Sequence, residues 1–480
     1  MNKKTYLTTT IPYVNDKPHI GHALEVIQAD VVARFKRLLG EEVFFNYGTD
    51  EHGQKVLKAA ERENLSPQEY TDRLAPKFDD LKTALNLSYD KFIRTTDEHH
   101  ILAAQHIWKL CDEAGDIYKK KYRGLYCVSC ERFVKESEII NGECPDHLGK
   151  VLEEVEEENY FFKFNKYADS LLEYLERPNV ITPEWRRKEA VNFVKNGLED
   201  FPVSRLKAKM SWGIPVPGDD EQVMYVWFDA LTNYISTLGW PEDDYGNFQK
   251  FWNDGEAIQF AGKDQVRFQS LMWQAMLKSA GVKNTDRIFY HGFINIKGEK
   301  ISKSIGNVVD PQDLVKEFST DALRYYLLRH VSPVEDSNFS AELLTESYNA
   351  NLANGLGNLF SRILKMYVSY DVETSLPSDE EVLSDSKLDE LKGYIENFEF
   401  NKAMDYIWKE IGDMDAHIQH TEPFKLIKTN EEQAKKIVAD LVIRLYRVAT
   451  ILEPFLPESS RIIKDGIRSK KIPEPLFLRK

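Results

Sequence analysis

The sequence predicts an α/β fold, with a doubly wound parallel sheet and a helical bundle after it. Residues 5–10 are rich in β-branched and aromatic residues, which is typical of a buried strand. Residues 22–39 place apolar side chains at helical spacing, and Gly40 then supplies a helix stop. The same strand-then-helix order recurs from residues 42–47 and 259–264. This alternation favours a parallel sheet, with ligands at the carboxyl ends of its strands.

The chain is expected to contain four segments, because the alternation of strands and helices breaks once and then resumes. They are 1–115 and 226–340, the two halves of the α/β domain; 116–225, an insertion; and 341–480, a helical domain. Strands are also predicted from apolar runs at residues 160–164 and 225–230. Further helices are predicted at residues 266–279, 343–367, 388–395, 402–420 and 431–452.

The composition is that of an ordinary globular protein. Hydrophobic residues make up 42% and charged residues 29% of the 480 residues, which is within the usual range. No apolar run reaches the roughly 18 residues that a membrane-spanning helix needs. The N-terminus also lacks a signal-like apolar segment. We therefore expect a cytoplasmic protein with no membrane partner.

The net charge is a weak guide to a nucleic-acid partner. The chain has 63 basic and 78 acidic residues, a net charge of −15, which disfavours binding to a phosphate backbone. Binding depends on local charge, however, and basic residues cluster at 119–123 and 186–188. Such clusters are more often solvated faces, so both interpretations stay open.

Residues 19–22, His-Ile-Gly-His, lie where the first predicted helix begins. The first turn of a helix carries unpaired N–H groups and positive partial charge, so it favours a bound phosphate. The imidazoles of His19 and His22 would add hydrogen-bond donors, while Gly21 would leave room for the ligand. The alternative is that the two histidines cap the helix or hold a metal.

A second candidate anion site is the segment Lys-Ile-Ser-Lys at residues 300–303, which lies between two glycines. Two lysines three residues apart could face one anion while Ser302 donates a hydrogen bond to it. The flanking glycines predict a mobile loop. The alternative is a basic surface loop, which would be favoured if the histidine motif were absent.

Three of the four cysteines form a metal-binding pattern with one histidine. Cys127, Cys130, Cys144 and His147 are spaced C-x2-C-x13-C-x2-H, close to a zinc knuckle. In a reducing compartment thiolates favour a metal over a disulfide. Four protein ligands would make such a zinc structural. The alternative is free thiols in a surface loop, and Cys111 is expected to be a buried apolar residue.

Polar groups elsewhere are also candidates. Asp50 follows the second predicted strand and could hold a ligand ammonium group, although a loop aspartate is more often a turn former. Phe424 could stack on an unpaired base. A polar face suited to base edges is predicted on one helix, at Asn351, Asn354, Asn358 and Arg362. The alternative is a solvated stripe and a core phenylalanine.

Taken together, residues 19–22 and 300–304 resemble the HIGH and KMSKS signatures of class I aminoacyl-tRNA synthetases. The resemblance covers nearly the whole chain and is closest to the members that activate methionine. It is carried in order by TTTIPYVNDKPHIGHA, GTDEHGQKV, YRGLYCVSCERF, ENYFFKF, WGIPVP, YVWFDALTNYIS, HGFINIKGEKISKSIGNV and NLANGLGNLFSR. This resemblance implies a Rossmann-type catalytic domain, a zinc-knuckle connective insertion and an anticodon-binding helical bundle.

The resemblance also implies the reaction and the site residues. Methionine and ATP with Mg²⁺ would give methionyl-adenylate, and the methionyl group would then pass to tRNA(Met); one zinc would be structural. The implied residues are His19, His22, Lys300 and Lys303 for catalysis; Gly21, Asp264, His291, Gly292 and Ser302 for ATP; Ile11, Tyr13, Asp50, Arg205, Trp227, Ala230, Tyr234, Phe268 and Gln269 for methionine; Asn358, Arg362 and Phe424 for the anticodon; and Cys127, Cys130, Cys144 and His147 for the metal.

The sequence departs from the family pattern in a few places. Gln265 and Gln269 stand where better-known members have an apolar residue and a histidine, Ile301 replaces the usual Met, and Phe424 replaces a frequent Trp. The chain stops after the bundle, without the appended dimerisation domain of some relatives, so a monomer is expected.

Two other classes of function remain open at this stage. A noncatalytic tRNA-binding protein that keeps the fold would be expected to have damaged signature loops, and these are intact. A nucleotidyltransferase of the same superfamily would not need the long helical domain. Leucine, isoleucine and valine enzymes carry a longer editing insertion than residues 116–225 allow, and cysteine enzymes place zinc in the amino-acid pocket.

Overall fold

The structure is a computed structural model, and it describes most of the chain. The described residues are 3–129, 132–134, 139, 142–145, 147–296, 298–301 and 308–480. For residues 132, 133, 147–150 and 300 it describes the backbone alone.

The strands of the described residues are β1 (Lys4–Thr9), β2 (Glu42–Thr49), β3 (Lys91–Arg94), β4 (Ile117–Cys127), β5 (Arg132–Val134), β6 (Glu143–Cys144), β7 (His147–Val151), β8 (Glu153–Phe162), β9 (Ile181–Thr182), β10 (Phe201–Pro202), β11 (Ser204–Leu206), β12 (Pro215–Val216), β13 (Asp219–Met224), β14 (Glu256–Gly262), β15 (Arg287–His291), β16 (Ile294–Ile296), β17 (Glu299–Lys300) and β18 (Ser337–Phe339).

The α-helices are α1 (Ile20–Leu38), α2 (Gln54–Arg62), α3 (Pro67–Asp79), α4 (Leu81–Ala84), α5 (Glu98–Glu113), α6 (Ala168–Glu176), α7 (Glu184–Lys195), α8 (Val226–Ala230), α9 (Asn233–Ser236), α10 (Trp273–Ser279), α11 (Pro311–Phe318), α12 (Thr320–Arg329), α13 (Ala341–Ser347), α14 (Asn358–Ser369), α15 (Asp379–Leu383), α16 (Asp389–Glu396), α17 (Phe400–Thr421), α18 (Pro423–Leu426), α19 (Glu431–Leu452) and α20 (Pro457–Ser469). Short 3-10 helices lie at Phe164–Tyr167, Lys263–Gln265 and Ser386–Leu388, and π-helical segments at Phe248–Asn253, Phe268–Met272 and Tyr348–Gly357.

The chain folds into two compact units. The first unit comprises Met1–Pro18, Val43–Asp80 and Tyr89–Tyr290, and the second comprises His19–Glu42, Leu81–Ser88 and His291–Lys480. The four-segment division made from the sequence stays a prediction. Within the described part of the chain, no helix is both long and apolar enough to cross a bilayer.

The first unit is built on a six-stranded sheet of order β3-β2-β1-β14-β15-β9. The pairs β1–β14, β2–β3 and β15–β9 are parallel, which confirms the predicted parallel sheet. Gly48 is needed where β2 passes β3, because a Cβ there would lie 2.1 Å from the backbone oxygen of Ile93. The strands are mostly buried, as expected for a sheet covered on both faces.

The insertion in the first unit forms a second, antiparallel sheet of order β10-β8-β4-β5. Of the predicted strand at residues 160–164, residues 160–162 are the end of the longer β8, whereas Phe164 begins a 3-10 helix. In β4–β8 the basic run Lys119–Arg123 lies opposite the acidic run of β8, with Lys121 opposite Glu158 and Arg123 opposite Glu156. Opposite charges on facing strands stabilise such a pair, so the two charge runs face each other in one antiparallel strand pair.

One secondary-structure prediction is wrong. Residues 225–230 are not a strand: Tyr225 precedes α8, a short buried helix. A run of apolar residues does not distinguish a short buried strand from a buried helical turn. The predicted helix at residues 266–279 is confirmed as helical, although its first part has π geometry.

The second unit is mainly helical. Its helix α1 ends just before Gly40, which has φ of +81° and so adopts the conformation that favours glycine at a helix stop. The predicted helix at 431–452 is found as α19, and the one at 402–420 lies within α17. The predicted helix at 343–367 spans α13, the π-helical segment Tyr348–Gly357 and α14.

Candidate functional site

In the first unit, Asp50 lies directly after β2 in a loop whose backbone is fixed on two sides. Its N–H donates to the Pro12 carbonyl at 2.9 Å, and its own carbonyl accepts from Val14 N at 3.0 Å. The side chain is 2% exposed. A carboxylate at this position can hold the ammonium group of a ligand.

An aromatic wall lies next to this loop. Tyr13 is paired with Asp50 through the backbone and packs edge-on against Trp227, with 6.1 Å between ring centroids. Trp227 stacks on Phe268 at 3.8 Å between centroids. Ile11 and Ala230 belong to one small buried cluster. The structure therefore brings together most of the predicted methionine residues as a carboxylate beside an apolar wall.

Tyr234 and Gln269 form a buried polar pair near this wall. Both side chains are almost fully buried, and Gln269 Nε2 donates to the Tyr234 hydroxyl. Gln269 Oε1, Gln265 Oε1 and Trp227 Nε1 have no hydrogen-bond partner among the described residues. Buried polar atoms without partners are costly, so these atoms are candidates for ligand contacts.

The two residues that follow Asp50 are held by different elements, Glu51 by the end of β3 and His52 by α8. Glu51 pairs with Arg94 Nε at 2.7 Å and accepts from the hydroxyl groups of Thr49 and Thr96. His52 Nδ1 lies 2.8 Å from Asp229 Oδ2 on α8. Glu51, His52 and Asp229 all belong to motifs of the sequence, but only their neighbour Asp50 has a predicted role. A carboxylate inside an aromatic run was the available signal for Asp229.

Asp229 is fully buried between two histidines. His100 Nε2 lies 2.8 Å from its second oxygen, Oδ1, and His100 Nδ1 lies 2.9 Å from Ser236 Oγ. Burial acts to raise the pKa of Asp229, yet the charge and hydrogen bonds of His52 and His100 hold that pKa below its ordinary value. The carboxylate is therefore ionised at neutral pH and accepts from both imidazoles.

In the second unit, the histidine motif forms the start of α1. His19 Nδ1 accepts from Gly21 N at 3.1 Å, and His22 Nδ1 accepts from His19 N at 3.1 Å. The two rings stack at 3.7 Å between centroids. The two histidines therefore do cap the start of α1. Phosphate binding by their imidazoles stays a prediction.

His291 lies close to this helix start. Its Nε2 is 2.7 Å from Glu25 Oε2 on α1. Burial, followed by the charges of His19 and His291, lowers the pKa of His22 well below its ordinary value, so His22 is neutral at neutral pH. A Cβ on Gly292 would lie 2.2 Å from the backbone of Glu335, which gives Gly292 a packing role of its own.

The lysine segment is described only at its beginning. The backbone of Lys300 belongs to β17, which pairs with β16 in the second unit, with Asn295 opposite Lys300. The predicted residues Ser302 and Lys303 lie outside the described residues. One unit therefore contains the histidine motif, His291 and the strand that leads into the lysine segment.

Two other predicted residues have surroundings of their own in the first unit. Arg205 is buried and pairs with both oxygens of Glu157, at 3.0 and 3.1 Å, while its guanidinium lies over the Tyr126 ring. Its predicted role in the activation site stays a prediction. Asp264 is exposed in the 3-10 turn that follows β14.

The predicted metal site is described in part. Cys127 and Cys144 are buried in one small cluster with Val134 and Leu152. The backbones of Cys144 and His147 face each other across β6–β7. Cys130 and the side chain of His147 lie outside the described residues, and within the described part no three metal-ligating side chains form a group. Two buried thiols in one cluster, contributed by β4 and β6, fit a thiolate-binding metal such as zinc.

Cys111 differs from the other cysteines. It is fully buried on α5 in the main core of the first unit. Burial raises the pKa of its thiol to about 12, so it is not a thiolate at neutral pH. The prediction that Cys111 is a buried apolar residue is confirmed.

The predicted polar face in the second unit borders a groove of about 540 Å³. Asn351 and Asn354 line this groove together with Asp415 of α17. Arg362 is paired with Asp415, whereas Asn358 is exposed. Phe424 is 44% exposed, so the alternative of a core phenylalanine is wrong.

The basic clusters of the first unit are paired with carboxylates. Lys119 pairs with Asp219 at 2.8 Å, and Arg123 with Glu154 at 2.6 Å. Arg187 pairs with Glu184 at 2.6 Å. These contacts favour the interpretation of the clusters as solvated, charge-balanced faces.

Comparison with known proteins identifies the class to which this fold and these motifs belong. The family model described as tRNA synthetases class I (M) matches residues 5–154 and 148–364. The chain belongs to this family of class I tRNA synthetases.

Its relatives indicate the amino acid. The chain is 42% identical to methionine–tRNA ligase of Fusobacterium nucleatum, over 97% of this chain and 75% of that protein. It is 42% identical to methionine–tRNA ligase of Rhizobium meliloti, over 96% of this chain and 91% of that protein. Methionyl-tRNA synthetase of Mycobacterium tuberculosis in complex with methionyl-adenylate matches with a TM-score of 0.90 and 38% identity, over 96% of this chain and 93% of that one.

Proposed function

We infer that this chain activates methionine with ATP and transfers the methionyl group to tRNA(Met). The observation that carries this inference is the buried Asp50 carboxylate beside the stacked Trp227–Phe268 wall. A zwitterionic amino acid with an unbranched apolar side chain needs both parts. Its relatives from Fusobacterium nucleatum and Rhizobium meliloti are methionine–tRNA ligases.

In the first step, a carboxylate oxygen of methionine attacks the α-phosphorus of ATP, and the bond to the departing pyrophosphate breaks. The product is methionyl-adenylate. The carboxylate is already a nucleophile at neutral pH, so the site needs to position it and stabilise charge rather than remove a proton. Asp50 binds the substrate ammonium group, and Ile11, Tyr13, Ala230 and the Tyr234–Gln269 pair enclose the side chain.

ATP enters as its Mg²⁺ complex. The neutral His22, together with His19 and the N–H groups at the start of α1, contacts the phosphates. Lys300 and Lys303 neutralise the leaving pyrophosphate. In the second step, a ribose hydroxyl oxygen at the tRNA 3′ end attacks the carbonyl carbon of the adenylate, and AMP leaves.

The tRNA is recognised through its anticodon by the helical domain. Asn358 is exposed and Phe424 is 44% exposed, so an amide and an aromatic face are available to unpaired bases. Arg362 exchanges its contact with Asp415 for a base edge.

The test of this function is ATP–pyrophosphate exchange with each of the twenty amino acids in turn. Exchange should depend on methionine, and Lys303→Ala should reduce it by about two orders of magnitude, because a charge at the developing pyrophosphate is lost. Exchange with another amino acid, or none, would contradict the function. Unchanged exchange in Lys303→Ala would contradict the role of the lysine segment alone.

We also propose one structural zinc, held by Cys127, Cys130, Cys144 and His147. The two described thiols are buried together, and a structural zinc would stabilise the small hairpins of the insertion. Elemental analysis should find about one zinc per chain. Cys144→Ser should lose it, while Cys111→Ala should keep it; purified chain without zinc would contradict the site.

A further inference from the structure

The Asp50 loop and α8 hold opposite ends of the proposed methionine site, and a buried polar chain joins them. Asp50 is followed at two residues by His52, whose Nδ1 lies 2.8 Å from Asp229 Oδ2. Asp229 stands on α8 between Trp227, in the aromatic wall, and Ala230, in the apolar cluster with Ile11. The hydrogen bond therefore connects the ammonium-binding side of the site with its side-chain-binding side.

His52 is fixed from its other side as well. Its ring packs against Trp212, with 5.2 Å between centroids. Trp212 Nε1 donates to the Glu51 carbonyl at 2.6 Å, and Gly53 N donates to the Trp212 carbonyl at 3.1 Å. The imidazole thus has a defined orientation, with Nδ1–H directed at α8.

Asp229 is anchored independently by a third element. His100 of α5 binds its other oxygen, at 2.8 Å, and is in turn 2.9 Å from Ser236 Oγ of α9. Asp229, His100 and Ser236 are fully buried. A carboxylate in such a place costs free energy unless each oxygen is bonded, and an apolar residue would fill the same space more cheaply. A buried charge that costs stability is explained if it fixes a geometry that the site needs.

We propose that His52 and Asp229 are positioning residues, which set the distance between the Asp50 carboxylate and the Trp227–Ala230 side of the methionine site. This inference rests on the proposed function and adds residues that do not touch substrate. The affinity of ligands that contact both the Asp50 carboxylate and the Trp227–Ala230 side should depend on the His52–Asp229 pair. The affinity of ligands that bind only the apolar side should not.

The experiment measures ATP–pyrophosphate exchange and inhibition in three variants. His52→Ala should raise KM for methionine by about tenfold, because a residue that orients a binding site without touching the ligand is lost. KM for ATP should change by less than about twofold. His52→Asn places an amide N–H near the position of Nδ1 and should recover most of the loss, and Asp229→Asn gives a second route to the same effect if one variant folds poorly.

Two inhibitors separate positioning from general damage. Methioninol keeps the ammonium group, whereas the corresponding thioether alcohol without the amino group does not. Weaker inhibition by methioninol alone in His52→Ala supports the proposal. Glu242→Gln is the matched control, because Glu242 lies 4.0 Å from His99 in an exposed histidine–carboxylate pair; it should change neither KM.

The outcomes distinguish two failures. If the unmodified chain shows no methionine-dependent exchange, the proposed function is wrong and this inference falls with it. If it exchanges normally but His52→Ala keeps its KM for methionine, the inference alone is overturned. The inference is also overturned if His52→Ala weakens both inhibitors equally, because the pair then acts on the whole pocket rather than on its two ends.

Discussion

Replacement of Asp50 by Asn should lower kcat/KM for methionine in ATP–pyrophosphate exchange by about two to three orders of magnitude. The substitution keeps the size of the side chain and removes its charge. Since Asp50 is buried, the substrate ammonium group would lose its counter-charge in a site with little water. KM for ATP should stay nearly constant, because the proposed phosphate contacts belong to other residues.

A matched control for this variant is Asp97→Asn. Asp97 lies in the loop between β3 and α5, and its carboxylate accepts from the backbone N–H of Arg94 at 3.1 Å. Removing this charge should leave methionine kinetics unchanged. If Asp50→Asn exchanged pyrophosphate as fast as the unmodified chain at low methionine, the ammonium site would have to lie elsewhere.

Replacement of Arg324 by Met should destabilise the second unit by about 3–5 kcal/mol, the typical cost of breaking a buried ion pair. Arg324 is fully buried and lies 2.8 Å from Asp30 of α1. It also donates to the carbonyls of Leu85, Pro454 and Phe455. In the variant, the three carbonyls and the buried Asp30 carboxylate lose their contacts with the guanidinium. Urea unfolding followed by circular dichroism measures the loss.

The cost of Arg324→Met should shrink in acid. Burial acts to raise the pKa of Asp30, but Arg324 and then Arg34 hold it below its ordinary value. Arg34 and Ser88 still bond Asp30 in the variant, but without Arg324 the Asp30 pKa rises, and protonation removes the less well compensated charge as pH falls through that higher value. The destabilisation should therefore be smaller at about pH 4.5 than at about pH 7. A difference independent of pH would show that the lost carbonyl contacts dominate.

The control for this variant is Lys316→Met on the neighbouring helix α11. Lys316 pairs with Asp313 at 2.9 Å, but both side chains are 73% exposed. Exposed pairs contribute little to stability. The control should unfold at the same urea concentration as the unmodified chain.

The sequence was sufficient for the parallel sheet and for the long helices, because both have a strong period. The run at 431–452 has amphipathic spacing throughout and is α19 to the residue. The short run at 225–230 has no room for a period, and it is a helix rather than a strand. The sequence also did not show that the acidic run of β8 pairs with the basic run of β4, because the two runs are distant in sequence.

The site was predicted where a motif gives a residue its role, and missed where the role comes from a distant partner. Asp50 and Trp227 could be named from their motifs, and the structure brings their segments together through Tyr13. The contacts of Asp229 with His52 and His100 span 177 and 129 residues. No spacing rule in one sequence joins residues so far apart, and the Glu25–His291 contact was missed for the same reason.

The π-helical segment Tyr348–Gly357 has a consequence for the exposed amide of Asn358 and for Arg362. In π geometry each turn takes up more residues than an α turn, so this stretch absorbs chain length without interrupting the helix. A version one residue shorter could close into ordinary α turns, and all later side chains of the same helix would swing by about 100° around its axis. The direction in which Asn358 and Arg362 point from the helix therefore depends on the number of residues in the π-helical segment before them.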